Sequence, residues 1–219
     1  MVEEVVETKK EAAKGHSTKK KDDLLKKIKP IYLVVLAVFV LLLVYFLFFY
    51  SPYKYGFSIE GVSYLSNNYV PTEFFNEFKQ SNVVYVSPVM SEGVTDSLTF
   101  NALSLWQIVL IGNKISAVQM IRVKDADGKF AYCYTNDGNV YVSRQVSFEE
   151  CSATLNDLQK TVIFIEQSKD TKAVLEKNRL SVFSPIGAVS TINFSVMKQI
   201  FPNAKQLIDI VNEKIYGVQ

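Results

Sequence analysis

An uninterrupted apolar segment, Ile31 to Tyr50, constrains this chain more than any other feature of its sequence. Its twenty residues, IYLVVLAVFVLLLVYFLFFY, include no charged residue, no amide side chain, no Gly and no Pro. As a helix, a segment of this length would be about 30 Å long, which matches the hydrocarbon thickness of a bilayer. A buried core helix of the same length would normally have one polar face. The sequence therefore predicts a single transmembrane helix over residues 31–50.

The flanks of this segment predict an uncleaved signal anchor. A cleaved signal peptide would have an apolar region of about 7–15 residues followed by small residues, whereas this run is longer and ends in FLFFYSPY. The preceding residues 1–30 carry nine Lys and six acidic residues, and residues 51–219 carry fifteen basic and sixteen acidic residues. The Lys residues expected to set the topology are Lys19, Lys20, Lys21, Lys26, Lys27 and Lys29.

The positive-inside rule then predicts a plasma-membrane protein with a cytoplasmic N-terminus and an external C-terminal part. Residues 1–30 are expected to form a basic, disordered cytoplasmic tail, since they lack an apolar stripe. Residues 51–70 are expected to form a juxtamembrane segment with the first strand, and residues 71–219 the external domain. The anchor predicts membrane lipid as one partner.

The two cysteines of the chain, Cys133 and Cys151, both lie in the predicted external domain. An even number of cysteines in an oxidising compartment favours a disulfide. Two separate buried thiols are the alternative. Cys133 falls on the middle strand of a predicted meander, and Cys151 falls in the first turn of the predicted helix that follows it. A disulfide would join this strand to this helix.

The hydrophobic pattern after residue 70 alternates between helices and strands, which predicts an α/β or α+β domain with a mixed sheet and flanking helices. The predicted helices are 72–80, 97–111 with Asp96 as N-cap and Gly112 just after its end, 148–160, 170–178, 190–201 and a final one from Pro202-Asn203 to Gly217. The predicted strands are 55–65, 82–87 stopped by Pro88, 161–167, 179–184, and an antiparallel meander of 115–123, 129–135 and 139–144. A hairpin turn at Gly112-Asn113 is the alternative end for the second helix.

Several kinds of chemistry lack the residues that they need. The only histidine, His16, lies in the tail, so the external domain cannot use a Ser-His or Cys-His nucleophile or a His-containing zinc site. Two cysteines cannot make a four-thiolate zinc site, and no Walker A, GxGxxG or GxSxG motif occurs. The run Asp125-x-Asp127-Gly128 lacks the distal Glu of a calcium loop and is interpreted as a turn. No metal and no cofactor is therefore predicted. The external domain is nearly neutral and lacks a basic aromatic stripe, so no nucleic-acid partner is predicted either.

If the domain is an enzyme, the candidate catalytic residues lie where strands end and helices begin. Ser87, Glu166 and Ser184 end predicted strands, and Asp96, Asp170 and Ser190 begin predicted helices. Adjacent parallel strands would bring these positions to one edge of the sheet. Asp96 and Glu166 would then act as acid or base, with Ser87 or Ser184 beside them.

Asn193-Phe194-Ser195 is a possible glycosylation sequon in the external domain. It falls in a predicted helix with apolar neighbours, which argues against use of the site.

The leading functional hypothesis is a single-pass, membrane-anchored envelope or cell-surface protein whose external domain binds another protein or associates with itself. One alternative is a membrane-tethered hydrolase that works through carboxylates or a Ser-Lys pair. Another is an accessory subunit of a larger membrane complex. The absence of histidine from the external domain favours an interaction role over catalysis, because acid-base chemistry near neutral pH most often uses His.

Overall fold

The computed structural model describes residues 32–46, 53–67, 70–92, 96–136 and 143–217. Contacts divide the chain into two compact units, Met1–Pro52 and Tyr53–Gln219. The predicted tail, the six topology-setting Lys residues and the two predicted ends of the anchor, Ile31 and Tyr50, lie outside the described residues.

The described part of the first unit is one helix, α1, over residues 32–46. All of its residues are exposed, and none is charged. Within the ranges that the structure describes, no helix has both the length and the apolar character needed to cross a membrane.

The second unit is built on a mixed sheet of nine strands among its described residues. The strands are β1 (Tyr55–Ile59), β2 (Val62–Ser66), β3 (Val83–Ser91), β4 (Ser116–Lys124), β5 (Phe130–Asn136), β6 (Ser143–Ser147), β7 (Thr161–Gln167), β8 (Lys172–Glu176) and β9 (Arg179–Ser184). Their order across the sheet is β1-β2-β8-β9-β7-β3-β4-β5-β6. The neighbours β9, β7, β3 and β4 are parallel, whereas β4, β5 and β6 form the predicted antiparallel meander. The prediction of a mixed sheet with a meander is confirmed.

Helices flank both faces of this sheet. They are α2 (Pro71–Lys79), α3 (Ser97–Gly112), α4 (Phe148–Asn156), a short 3₁₀ helix (Ile186–Ala188), α5 (Val189–Ile200) and α6 (Ala204–Tyr216). Helices α2, α3, α5 and α6 share one core with alternate sheet residues such as Val84, Ile163 and Val182, and we call this side the helical face. Helix α4 packs on the opposite face against the meander. The prediction of an α+β domain with flanking helices is confirmed.

The centre of the helical face is α3, the predicted core helix. Its Trp106 is fully buried, and its Asp96 N-cap accepts hydrogen bonds from the Leu98 and Thr99 amides, as predicted. Gly112 is the last helical residue and not the residue after the helix, and the left-handed residue is Lys114, with φ of 63°. A Cβ on Gly112 would lie 2.7 Å from Leu207 Cδ1. The glycine is therefore placed where α6 approaches α3 closely, and the alternative hairpin turn is wrong.

Two strand predictions need correction near the first edge of the sheet. Residues 55–65 form two strands and not one, because Glu60 and Gly61, with φ of 50° and 78°, make a two-residue hairpin turn. Residues 172–176 form β8, although residues 170–178 were predicted as a helix. Ala173, Val174 and Leu175 are buried between β2 and β9, so burial in the sheet overrides a helix-favouring composition.

Pro88 lies inside β3, which contradicts the prediction that it ends this strand. Glu92 N–H donates to the Lys124 carbonyl of β4 at 2.8 Å. The register of β3 and β4 is constant, so four residues earlier on both strands a backbone N–H at position 88 would point at the Met120 carbonyl. Pro88 has no N–H to donate there. The Ser87 hydroxyl donates to this carbonyl instead, at 2.7 Å. Ser87 therefore replaces the backbone hydrogen bond that the proline cannot make.

Tyr64 of β2 provides a test of this core. Its ring is 1% exposed and stacks on Phe57, with ring centroids 4.9 Å apart. Its hydroxyl has no hydrogen-bond partner among the described residues. Burial raises the pKa of Tyr64 above its ordinary value of 10.0, and the negative charge of Glu60 raises it further.

We expect Tyr64→Phe to leave the domain as stable or to stabilise it by about 1 kcal/mol, because it removes an unpaired buried hydroxyl without leaving a cavity. Thermal unfolding measures this change, with Tyr85→Phe on a half-exposed ring as the control. Above pH 10 the unfolded wild-type chain releases the Tyr64 proton while the folded chain keeps it, so the free energy of unfolding should fall as the pH rises. The Tyr64→Phe variant has no such proton, and its free energy of unfolding should fall less. A clear loss of stability in Tyr64→Phe at neutral pH would contradict the prediction.

Candidate functional site

Ser87, Glu166 and Ser184 lie on three neighbouring parallel strands, β3, β7 and β9, as the sequence analysis required of a candidate site. They do not lie on one face. Ser184 alternates with the core residues Val182 and Leu180 and therefore points to the helical face, where it is fully buried. Ser87 and Glu166 are on the opposite face, together with Phe164. The sheet thus separates Ser184 from the other two residues.

The centre of the arrangement on that opposite face is Arg122 of β4, a residue that the sequence analysis missed. The Arg122 Nη2 atom lies 2.7 Å from Glu166 Oε1. Arg122 Nε donates to Ser87 Oγ at 2.9 Å, and Nη2 also donates to the Ser87 carbonyl at 2.9 Å. The guanidinium carbon lies 4.6 Å from the centroid of the Phe164 ring. We call Ser87, Arg122 and Glu166 the arginine cluster.

The arginine cluster is largely shielded from water, since Arg122 is only 8% exposed. Burial lowers the pKa of the Arg122 guanidinium, and the charge and hydrogen bond of Glu166 oppose this effect. A buried guanidinium needs both a counter-ion and hydrogen-bond acceptors. Glu166 supplies the first, and Ser87 supplies two of the acceptors.

These contacts limit what the arginine cluster can do chemically. The Ser87 hydroxyl donates its proton to the Met120 carbonyl and accepts from Arg122 Nε. A serine nucleophile needs a neighbouring base to take its proton, and a guanidinium stays protonated and cannot act as one. Glu166 binds the guanidinium, whereas the hydrogen bonds of the Ser87 hydroxyl go to the Met120 carbonyl and to Arg122. The geometry fits a fixed polar connection between β3, β4 and β7.

Asp96, the second predicted carboxylate, is placed on the helical side of the sheet. Besides capping α3, its Oδ2 accepts from Gln167 Nε2 at 3.0 Å and from the Thr99 hydroxyl. Gln167 follows Glu166 in β7, and consecutive strand residues point to opposite faces. Asp96 and Glu166 therefore lie on opposite sides of β7 and do not form a carboxylate pair.

The two remaining helix-start candidates are separate from the arginine cluster. Ser190 lies in the first turn of α5, where its hydroxyl donates to the Leu98 carbonyl of α3 at 2.9 Å. Asp170 does not begin a helix, because it lies in the loop before β8, where it pairs with Lys172 at 3.4 Å. Ser184 Oγ is buried and has no hydrogen-bond partner within the described part of the chain.

The predicted disulfide is present between Cys133 and Cys151, with an S–S distance of 2.04 Å. It joins the middle strand of the meander to the first turn of α4, as the sequence predicts. Both residues are fully buried and pack with Met120, Val146 and Leu155. The bond therefore fixes α4 on the face of the sheet that carries the arginine cluster.

The sequon residue Asn193 is fully buried in α5. Its Oδ1 accepts from Trp106 Nε1 at 2.8 Å, and its Nδ2 donates to the Val189 carbonyl at 2.9 Å. A glycan would be attached at Nδ2, so it would replace a buried hydrogen bond. In the folded domain this side chain is a core contact between α3 and α5.

Two of the cavities lined by described residues lie away from all four candidate catalytic residues. One of about 780 Å³ is lined by residues at the starts of β3 and β4 and by polar side chains that include Lys114, Arg144 and Glu150. The other, of about 230 Å³, is lined by residues that include Asn67, Leu158 and Arg179. Neither cavity is lined by Ser87, Asp96, Glu166 or Ser184.

No protein-family model fits the chain, and no curated protein is significantly similar to it.

Proposed function

We propose that this chain is a single-pass protein of the plasma membrane whose external domain acts by binding protein, either another chain or a further copy of itself. Residues 31–50 would form the anchor, with the N-terminus in the cytoplasm. The observation that carries the interaction role is the placement of the four candidate catalytic side chains. Ser87, Asp96 and Glu166 are each bonded to another part of the fold, and Ser184 is fully buried on the helical face. None of the four lines either of the two cavities described above.

The exposure of α1 supports the anchor. All fifteen residues of this helix are exposed, and none carries a charge. Burial of apolar surface is worth about 25 cal/mol per Å², so such a helix would be very unfavourable in water and favourable in a bilayer. The buried disulfide is consistent with an oxidising compartment for the domain.

We expect protease added to intact cells to remove an epitope placed after Gln219 and to spare one placed before Met1 in the full chain. Alkaline carbonate should leave the chain in the membrane fraction. The control variant replaces Lys19, Lys20, Lys21, Lys26, Lys27 and Lys29 by Gln, which removes the predicted topology signal and should give mixed orientation. Protection of the C-terminal epitope in the unmodified chain would contradict the proposed topology.

Covalent cross-linking of the full chain in cells tests the interaction role. Cross-linked peptides are expected within residues 53–217, since this is the part proposed to bind protein. Turnover of a substrate by the purified chain that disappears in Asp96→Ala or Glu166→Ala, without domain-mediated cross-links, would favour the membrane-tethered hydrolase instead.

A further inference from the structure

The first strand, β1, ends the sheet on one side, and none of the described strands pairs with its outer edge. Its sequence, YGFSI, has no charged residue and no Pro. Charges and Pro are the usual means by which an edge strand avoids pairing with another chain. The strand at the other end of the sheet, β6, has such a charge in Arg144, whose side chain is 62% exposed.

The hairpin turn at Glu60-Gly61 fixes which backbone groups of β1 point away from β2. Ile59 and Val62 flank this two-residue turn and face each other, so they form a hydrogen-bonded pair. The alternation along the strand then directs the N–H and C=O groups of Tyr55, Phe57 and Ile59 toward β2. The same groups of Gly56 and Ser58 point outward, and both residues are exposed.

The residues of β1 are complementary to the same residues read in the opposite direction. Antiparallel pairing centred on Phe57 places Gly56 opposite Ser58 of the second copy, so their outward groups form hydrogen bonds. On one face it places Tyr55 opposite Ile59 and Phe57 opposite Phe57, and aromatic and β-branched cross-strand pairs are favourable.

The same register brings opposite charges together at both ends of the paired β1 strands. Lys54 is placed opposite Glu60 of the second copy. Lys54 Nζ lies 5.4 Å from the centroid of the Tyr55 ring and has no carboxylate partner among the described residues. Glu60 is exposed and contacts Lys198 Nζ at 2.9 Å, so its carboxylate lies at the surface beside the strand.

We propose that two copies of this chain associate by antiparallel pairing of their β1 strands about Phe57, which joins their two sheets into one. This inference rests on the proposed interaction role and names the partner as a second copy of the chain.

Cysteine cross-linking of the full chain tests the register. Both native cysteines are in the disulfide, so introduced thiols are the only free ones. Residues opposite each other in a hydrogen-bonded antiparallel pair have Cα atoms about 5.5 Å apart, within disulfide range. A Gly56→Cys copy expressed with a differently tagged Ser58→Cys copy should therefore form a mixed disulfide. Either variant expressed alone should cross-link several times less, because identical positions are about 8–9 Å apart in this register. Equal cross-linking in the three combinations, or none, would overturn the proposal.

A second measurement is co-purification of two differently tagged full chains. Ser58→Pro on both copies removes an outward donor while the pairing with β2 is kept, and it should lower co-purification about tenfold through two lost hydrogen bonds. Lys54→Glu should also lower it, and the double variant Lys54→Glu, Glu60→Lys should restore it. Lys129→Glu makes the same charge change on the exposed β4–β5 turn and should have no effect. Co-purification that Ser58→Pro and Lys54→Glu leave unchanged would overturn the proposal.

The outcome for the interaction role can be told apart from the outcome for β1. Cross-linked peptides within residues 53–217 but no mixed disulfide between positions 56 and 58 would reject pairing through β1 and keep the interaction role. A lack of both would reject both.

Discussion

Glu166→Ala should destabilise the domain by about 2–4 kcal/mol, because it leaves a buried guanidinium without its counter-ion. Removal of one partner from a fully buried ion pair costs about 3–5 kcal/mol, and the expected loss is smaller here because the Glu166 side chain is 23% exposed. Chemical denaturation of the domain measures the change. Glu176→Ala, at an exposed strand end, is the matched control and should change stability by about 0.5 kcal/mol or less.

The double variant Arg122→Met, Glu166→Ala separates the charge from the packing. It removes the buried charge together with its partner and keeps an apolar side chain beside Phe164. We expect it to recover much of the stability that Glu166→Ala loses, since a buried ion pair can often be replaced by apolar residues without net cost. A double variant that is less stable than Glu166→Ala would contradict this account of the arginine cluster.

The same substitution distinguishes a structural role from a catalytic one. If Glu166 is catalytic, its substitution should abolish an activity with little change in the melting temperature. If Glu166 is structural, its substitution should lower the melting temperature. Asp96→Ala should cost about 1 kcal/mol, as expected for loss of a helix N-cap. A Glu166→Ala domain that is as stable as the wild type would contradict the structural role, and loss of a measured turnover in that same variant would favour the enzyme alternative.

Replacing both Cys133 and Cys151 by Ala should destabilise the domain by about 3 kcal/mol, the size expected for a bond that closes a loop of this length. The loss should be larger than that of any single surface substitution. Thermal unfolding of the variant, compared with the wild type with and without reductant, measures it. The intact mass of the wild type should also be lower by two hydrogen atoms before reduction, and two freely alkylated thiols in the native protein would contradict the bond.

The sequence was sufficient for the elements whose local signals agree with their surroundings. Asp96 predicted the start of α3, Asp125-x-Asp127-Gly128 predicted the first turn of the meander, and the spacing of the cysteines fitted a strand followed by a helix. It was insufficient for β8, where Lys, Ala, Leu and Glu favour a helix but the neighbours β2 and β9 require a strand. Propensity is a weak guide where burial in a sheet decides the structure.

The candidate site was predictable only in part. The sequence placed Ser87 and Glu166 near apparent strand ends, and the structure meets the condition that their strands are adjacent and parallel. Arg122 was missed because its only local signal is a charge inside an apolar strand. Its partners depend on β3 lying between β4 and β7, an order that no local pattern specifies. The separation of Ser184 from Ser87 and Glu166 depends on which side chains of β9 face the helices, and this can be read only from the exact register of the strand.

The pairing of β2 with β8 has a consequence for the order in which the domain can form during synthesis. Ser63 lies opposite Lys172, so the first hairpin has its sheet neighbour only after about 110 further residues have been made. At about 5–20 residues per second this takes on the order of 5–20 s. Throughout that interval Val62 and Tyr64, which are buried in the finished domain, have no β8 to pack beside. The emerging chain therefore carries an apolar hairpin that a chaperone could bind, and truncation before residue 172 should leave it permanently in that state.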